Sequence, residues 1–251
     1  MSGLVRVERR EGVAVLTLDR PRANAFSPEL VRDLSAAIAA STNAGAVLLT
    51  SSSPGMFSAG WDLTHLVGLD RGAFDAFVTS YCDLVRHIFS FERPVVAALP
   101  GHAIAGGLII AAAADERIAA AGKGELGLSE VLLGVSVPAC LLEIFRHAVG
   151  PRAMERLAAT GENVSVEAAH DMGLVDRVVP AEALAEEAFA RALFLAGRPA
   201  AAHASIKSRS RAAALARFDQ ARGGDPFATL WFSDDAQSRI RALVARLTKK
   251  G

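Results

Sequence analysis

The sequence predicts an α/β fold followed by a helical C-terminal region. Strand-like and helix-like patterns alternate over roughly the first two-thirds of the chain, and helix-like patterns dominate from Ala139 onward. Short apolar runs bounded by turn residues, such as those within 46–52 and 93–101, are typical of buried strands. No internal repeat or low-complexity linker interrupts this order.

Local signals mark the N-terminal elements. Residues 4–18 alternate apolar and polar side chains on both sides of Glu11-Gly12, which predicts a β-hairpin. Ser27 followed by Pro28 predicts a helix N-terminus, because Ser caps free N–H groups and Pro fits the first helical position. A later helix is indicated by apolar residues at helical spacing, namely Phe74, Phe77, Val78, Tyr81, Leu84, Val85 and Ile88.

The later elements are predicted by glycines and by apolar runs. Residues 107–114 form an apolar run too short to span a membrane, which favours a short buried helix. Two helices, 137–150 and 150–161, end in glycine, a C-cap signal. A strand-like segment at 173–180 interrupts the helices, and the chain is helical again from about Pro199.

Composition limits the classes of function. The chain has 251 residues, with 27 Lys+Arg and 27 Asp+Glu, so its formal net charge is zero. This removes the broad electrostatic argument for nucleic acid or for an anionic membrane as a partner. The charged N-terminus has no apolar segment of a secretory signal, and Cys82 and Cys140 are expected to be buried, reduced thiols. A cytoplasmic location is therefore expected.

Several kinds of catalytic site lack support in the sequence. The six His residues have no paired metal-ligand spacing, and no metal site is expected. No phosphate-binding P-loop, dinucleotide-binding glycine motif or serine-nucleophile elbow occurs. Nucleotide hydrolysis, dinucleotide redox chemistry and α/β-hydrolase chemistry are therefore not indicated.

Two small-residue turns each precede a predicted helix. In "FSAGWDLTHL", Ala59 and Gly60 follow a turn-like segment, and in "PGHAIAGGLII", Gly106 follows a predicted strand. Glycine lets a ligand approach the backbone, and the free N–H groups of a helix N-terminus favour negative charge. Two converging donors would form an oxyanion hole. Ordinary turns and close helix packing are the alternative interpretations.

A carboxylate close to such donors would supply acid–base chemistry. Glu130 in "GLSEVLLG" is flanked by apolar residues, and an apolar setting raises a carboxyl pKa toward neutrality. The alternative is a surface acid at the start of a helix. Asp62 is expected to cap or brace a turn, and Asp115 to close a helix or to pair with Arg. Among the histidines, His102 lies beside the second turn and is the one candidate for catalysis.

Together these segments resemble the crotonase, or enoyl-CoA hydratase/isomerase, superfamily. The resemblance covers nearly the whole chain, and the order of the segments is more specific than any one of them. They are "FSAGWDL", "GHAIAGGL…AADERIAA", "LGLSEVLLG" and "GPRAMERLAATGENVSVEAAHDMGLVDRVVP". The resemblance implies a crotonase-type spiral of ββα turns over 1–195 and a helical trimerisation region over 196–251, assembled as a homotrimer or hexamer.

The resemblance also implies a substrate and a site. It implies an acyl-CoA thioester whose oxygen lies between the N–H groups of Ala59 and Gly106, with no cofactor. The hydratases of the family carry two glutamates, and Ile109 stands at the position of the first, whereas Glu130 matches the second. A single carboxylate favours a Δ3,Δ2-enoyl-CoA isomerase of fatty acid metabolism. Pro138 replaces the Asp of the dienoyl-CoA isomerase relatives.

Alternatives remain open within the resemblance. They are another acyl-thioester reaction, such as decarboxylation or thioester hydrolysis, and a non-catalytic member of the family. An acyl-carrier protein could replace CoA, and Arg22 and the tail cations Arg246, Lys249 and Lys250 are candidates for the CoA phosphates. The expected substrate-binding and pocket residues are Ala59, Gly60, Trp61, Asp62, Leu63, Leu66, Gly106, Ile109, Ser129, Val137 and Pro138.

Overall fold

The computed structural model describes residues 3–21, 23–122, 124–222 and 225–248. Within these residues the chain forms ten β-strands in two sheets, eleven α-helices and two short 3₁₀ helices. The predicted α/β class is confirmed. No helix among the described residues has both the length and the apolarity needed to cross a membrane.

The larger sheet has six strands in the order β1-β2-β3-β5-β7-β10. β1 and β2 form the predicted antiparallel hairpin, and every other pairing in this sheet is parallel. Its strands are β1 (Val5–Arg10), β2 (Val13–Leu18), β3 (Ala46–Ser51), β5 (Val95–Leu99), β7 (Glu116–Ala120) and β10 (Arg177–Val179).

The smaller sheet has four strands of three residues each, in the order β4-β6-β8-β9. β4, β6 and β8 are parallel, and β9 is antiparallel to β8. These strands are β4 (Met56–Ser58), β6 (His102–Ile104), β8 (Glu125–Gly127) and β9 (Asn163–Ser165). The sequence did not predict this sheet, because three residues are too few for a recognisable alternation.

The predicted helices form, with their expected caps. Ser27 accepts a hydrogen bond from the N–H of Leu30, and Gly161 ends its helix in the left-handed conformation. The helices are α1 (Pro28–Ala39), α2 (Leu63–Leu66), α3 (Arg71–Ser90), α4 (Gly106–Ala112), α5 (Ala139–Val149), α6 (Pro151–Thr160), α7 (Val166–Asp171), α8 (Leu184–Ala196), α9 (Ala200–Ala221), α10 (Phe227–Trp231) and α11 (Asp234–Thr248).

The larger sheet is buried on both faces. Along β5, Val95 and Ala97 belong to the main core, whereas Val96 and Ala98 belong to a second, smaller cluster with residues of α8. Because successive side chains of a strand point to opposite faces, burial of both faces gives the continuous apolar runs seen in the sequence.

Long-range contacts attach the helical region to the α/β core. Asp115, between α4 and β7, pairs with Lys207 at 2.7 Å and with Arg211 at 2.9 Å, both on α9. The expectation that Asp115 pairs with Arg is therefore confirmed. The division at residue 195 falls one residue before the end of α8.

The two cysteines are free and buried, as the sequence predicted. They lie on α3 and α5, and the Sγ atoms of Cys82 and Cys140 are 3.5 Å apart. Because the two positions are 58 residues apart, no local pattern indicates this proximity.

Candidate active site

The two small-residue turns follow neighbouring parallel strands of the smaller sheet. The first turn follows β4 and the second follows β6, so both leave the same edge. Gly60 has a φ of 88°, and a Cβ on it would lie 2.9 Å from the carbonyl oxygen of Ile104 and 3.3 Å from the nitrogen of Gly106. Glycine at position 60 therefore lets the two turns touch.

Gly106 is the first residue of α4, so its N–H has no partner within the helix. Among the described residues no acceptor for this N–H is found. The preceding residue, Ala105, has a φ of 51° and a ψ of −126°, and its N–H donates to the carbonyl oxygen of Gly127 at 2.8 Å. A non-glycine residue at positive φ is strained, and such strain often occurs at functional sites.

Tyr81 braces the same turn from α3. Its hydroxyl group donates a hydrogen bond to the carbonyl oxygen of Gly106, and the side chain is completely buried. Tyr81 is the one tyrosine of the sequence, but the helical spacing identified it only as a core residue. Its bond to Gly106 joins positions 25 residues apart, which no local pattern indicates.

Ala59 differs from the expectation of a free donor. Its N–H donates to the carbonyl oxygen of Ala23 at 3.0 Å. Ala23 has a φ of 64° and lines the same cavity as Ala59. The sequence could not indicate this contact, because it depends on how the loop before α1 folds onto the turn after β4.

Glu130 begins the 3₁₀ helix Glu130–Leu133, shortly after β8. β8 pairs with β6, so the smaller sheet brings this segment beside the second turn. The carboxylate atom Oε2 of Glu130 is buried and has no hydrogen-bond partner among the described residues. Burial raises the pKa of Glu130 from 4.5 to about 7.

A cavity of about 530 Å³ lies at these segments. Several expected residues line it, and the α11 helix supplies part of its wall. The lining residues are Arg20, Ala23, Ala25, Ala59, Trp61, Asp62, Leu63, Thr64, Ile104, Ala105, Ser129, Glu130, Leu133, Leu243, Leu247 and Thr248. Gly60 and Gly106 are not in this lining, whereas their neighbours in the sequence, Ala59 and Ala105, are.

Two expected pocket residues lie elsewhere. Ile109 is fully buried in the main core and is not among the residues that line the cavity. Pro138 precedes α5 and lines a separate cavity together with Cys82 and Cys140. Ile109 and Pro138 therefore do not line this cavity, and their expected place beside the acyl group stays a prediction. Leu66 and Val137 are also buried outside the lining.

The charged groups at the cavity have distinct settings. Asp62 caps α2 by accepting from the N–H of His65, as predicted, and pairs with Arg20 at 2.5 Å. Within the described residues, Asp62 and Glu130 are the two acids in the cavity lining, and Asp62 is the one with a cationic partner. His102 lies outside the lining, and its Nδ1 accepts from the N–H of Glu125.

The cations that the sequence offered for the CoA phosphates do not line the cavity among the described residues. Arg22, Lys249 and Lys250 lie outside the described residues. Arg246 is near the end of α11 and does not line the cavity. In the described ranges, no group of three or more His, Cys, Asp or Glu side chains is arranged to hold a metal ion.

Comparisons identify the class of protein to which this fold and site belong. A family model described as enoyl-CoA hydratase/isomerase matches residues 8–226, and the chain belongs to that family. The human mitochondrial enoyl-CoA delta isomerase 1 is 29% identical over 98% of this chain and 84% of its own length. A probable enoyl-CoA hydratase of Rhizobium meliloti is 32% identical over 96% of this chain and 94% of its own length.

A solved structure confirms the crotonase-type fold that the resemblance implied. The crystal structure of the human mitochondrial Δ3,Δ2-enoyl-CoA isomerase superposes with a TM-score of 0.93 at 29% identity. The match covers 98% of this chain and 99% of that structure, so it includes the helical C-terminal region.

Proposed function

We propose that this protein is an enoyl-CoA isomerase that converts a 3-enoyl-CoA to the conjugated 2-enoyl-CoA. Glu130 removes a proton from C2 of the substrate, and the thioester oxygen takes the negative charge of the resulting dienolate. The Glu130 carboxyl group then returns the proton to C4. One proton leaves and one proton is returned, so the step balances without a cofactor.

The observation that carries this proposal is the setting of Glu130. Of the two acids in the described cavity lining, Asp62 is held by Arg20, whereas Oε2 of Glu130 has no partner. A 1,3 proton shift needs one group that accepts and returns a proton, whereas hydration asks for a second group to activate water. Ile109 stands at the position where the resemblance places the first of the hydratases' two glutamates, and its side chain cannot transfer a proton.

The raised pKa suits both halves of the reaction. A pKa of about 7 leaves Glu130 partly ionised near neutral pH, so the carboxylate can accept a proton and the carboxyl group can give it back. A carboxyl group at its ordinary pKa would be a much weaker base.

The two expected oxyanion donors contribute unequally in this proposal. The Gly106 N–H has no acceptor among the described residues and is ready to bind the thioester oxygen. The Ala59 N–H must leave the carbonyl oxygen of Ala23 or be shared with it. We therefore assign the larger part of the charge stabilisation to Gly106.

An absorbance assay tests the proposed reaction. Purified protein is mixed with 3-hexenoyl-CoA, and the conjugated thioester product is followed by its ultraviolet absorbance. A second assay follows loss of that absorbance when 2-hexenoyl-CoA is hydrated. We expect isomerisation with negligible hydration, and efficient hydration without isomerisation would contradict the proposal.

The carrier and the assembly belong to the same proposal. We propose CoA as the carrier and a homotrimer or hexamer as the assembly, on the resemblance to the family. Exposed apolar side chains such as Leu132 and Ile206, 58% and 70% exposed in the single chain, are consistent with subunit contacts. Sedimentation as a monomer at micromolar concentration would contradict the assembly.

A further inference from the structure

Trp61 is held by a cluster of aromatic rings on the interior side of the candidate site. Its indole makes edge-to-face contacts with four rings, and Phe74 also stacks on Trp231 with centroids 4.4 Å apart. The rings in edge contact with Trp61, at centroid distances of 5.1 to 6.3 Å, are those of Phe74, Phe77, Tyr81 and Phe227. These four neighbours are each at least 96% buried, so the indole has little freedom to move.

The indole also fills the space beside the second turn. A Cβ placed on Gly106 would lie 2.8 Å from Cδ1 and 2.9 Å from Nε1 of Trp61. Trp61 itself lines the cavity, whereas Phe74 and Phe77 behind it do not. An acyl chain that starts at Gly106 therefore cannot continue into the interior past the indole.

Leucine side chains from three other elements contribute to the lining of the same cavity. Leu63 of α2, Leu133 of the 3₁₀ helix and Leu243 of α11 line it. Leu247, one turn further along α11, also lines the cavity and is 53% exposed, so this path reaches the surface there. These leucine side chains would remove the carbons of an acyl chain from water as far as Leu247, and carbons beyond Leu247 would stay in contact with water.

We propose that Trp61 seals the interior side of the acyl pocket and turns the acyl chain of the substrate along α11. The channel between Leu63, Leu133 and Leu243 then sets the substrate class, which is 3-enoyl thioesters of short to medium chain length. Carbons beyond Leu247 enter water and add no binding. This inference rests on the proposed function, because it assumes an acyl thioester bound at Gly106.

Two substitutions that act in opposite directions test the path. Leu243→Trp narrows the α11 channel and should lower kcat/KM for 3-octenoyl-CoA on the order of tenfold more than for 3-butenoyl-CoA, because each methylene excluded from an apolar pocket costs about that factor or more. Leu230→Trp is the control, since Leu230 is 41% exposed and lies outside the cavity lining.

Trp61→Leu opens the interior and should raise the ratio of kcat/KM for 3-dodecenoyl-CoA to that for 3-hexenoyl-CoA at least tenfold.

Two further variants separate a change in the acyl path from a general loss of folding. Trp61→Phe retains a ring at the cluster and should give an intermediate ratio if Trp61→Leu folds poorly. Phe89→Leu, which removes a fully buried ring that does not touch Trp61, should leave the ratio unchanged. A wild-type kcat/KM that keeps rising to dodecenoyl-CoA, or a chain-length profile unaffected by Leu243→Trp, would overturn the inference.

Binding without turnover separates this inference from the proposed reaction. Calorimetric titration with saturated acyl-CoA thioesters should show affinity rising from butanoyl- to octanoyl-CoA and then levelling. If this levelling is found but no 3-enoyl-CoA is isomerised, the proposed reaction fails and the acyl path stands. If isomerisation is found but affinity rises steadily with chain length, the acyl path fails and the reaction stands.

Discussion

Glu130 and Asp115 are two partly buried carboxylates in opposite settings. Asp115 accepts from the backbone N–H of Val95 and pairs with Lys207 and Arg211, both of which are buried. Within the described ranges, Glu130 forms no ion pair and its Oε2 has no hydrogen-bond partner. The charge of Asp115 is compensated and holds α9 to the core, whereas no described residue compensates that of Glu130.

The setting of Glu130 makes the stability of the folded protein depend on pH. Because the pKa of Glu130 is raised from 4.5 to about 7, the folded protein keeps a proton that the unfolded chain has already released. Stability is therefore lost as the pH rises from about 4.5 to about 7, since the folded state binds more protons than the unfolded state in that window. An uncompensated acid of this kind costs stability, which makes a carboxyl group with a raised pKa at a cavity a candidate for a functional role.

The largest effect is expected on kcat when Glu130 is changed to Gln. The amide keeps the size of the side chain but cannot carry the proton, so kcat for 3-hexenoyl-CoA should fall about 10²–10⁴-fold. Glu125→Gln is the control, because Glu125 precedes the site on β8 and does not line the cavity. Retention of more than about a tenth of the wild-type rate would show that Glu130 is not the base.

Asp115→Asn should lower the free energy of unfolding and leave the catalytic rate nearly unchanged. Lys207 and Arg211 would be left buried without their anion, which costs about 3–5 kcal/mol of unfolding free energy. Urea titration measures this loss, and kcat of the folded variant should stay near the wild-type value. Asp75→Asn, in an exposed pair with Arg71, should cost less than about 1 kcal/mol. Equal losses in the two variants would contradict the contrast between a compensated and an exposed acid.

A smaller effect is expected from Gly106→Ala. The new methyl group would meet Trp61 and the hydroxyl oxygen of Tyr81, both within 2.9 Å, and would displace the N–H that binds the thioester oxygen. A displacement of this size lowers kcat/KM on the order of 10²-fold. Gly68→Ala is the matched control, because its nearest neighbour would be 3.8 Å away. Unchanged activity of Gly106→Ala would remove Gly106 from the proposed oxyanion site.

The features that could be predicted from the sequence are those set by neighbouring residues. The turn at Glu11-Gly12, the cap at Ser27 and the glycine ends of α5 and α6 depend on local backbone chemistry, and all of them form. Glu130 was identified as a candidate base because its apolar neighbours are adjacent in the chain. Its burial and raised pKa agree with that prediction, although its catalytic role stays a prediction.

The features that the sequence could not provide depend on distant segments. The bond from Ala59 to Ala23 and the leucines that α11 brings to the cavity join parts of the chain that share no local pattern. Ile109 was placed at the pocket because it stands where the resemblance puts a hydratase glutamate, and its complete burial in the core leaves that placement a prediction. A local motif therefore located the turn that precedes α4, whereas the residues that line the cavity come from segments far apart in the chain.

The pH dependence of kcat/KM for 3-hexenoyl-CoA tests most directly whether the unpaired carboxylate of Glu130 is the base. The base must be ionised in the free enzyme, so the rate should be low in acid, rise as the pH passes about 7, and level above it. The residual activity of Glu130→Gln should lack this rise. A wild-type rate that is constant between about pH 5.5 and 8.5, or that is already half-maximal near the ordinary value of 4.5, would contradict the account.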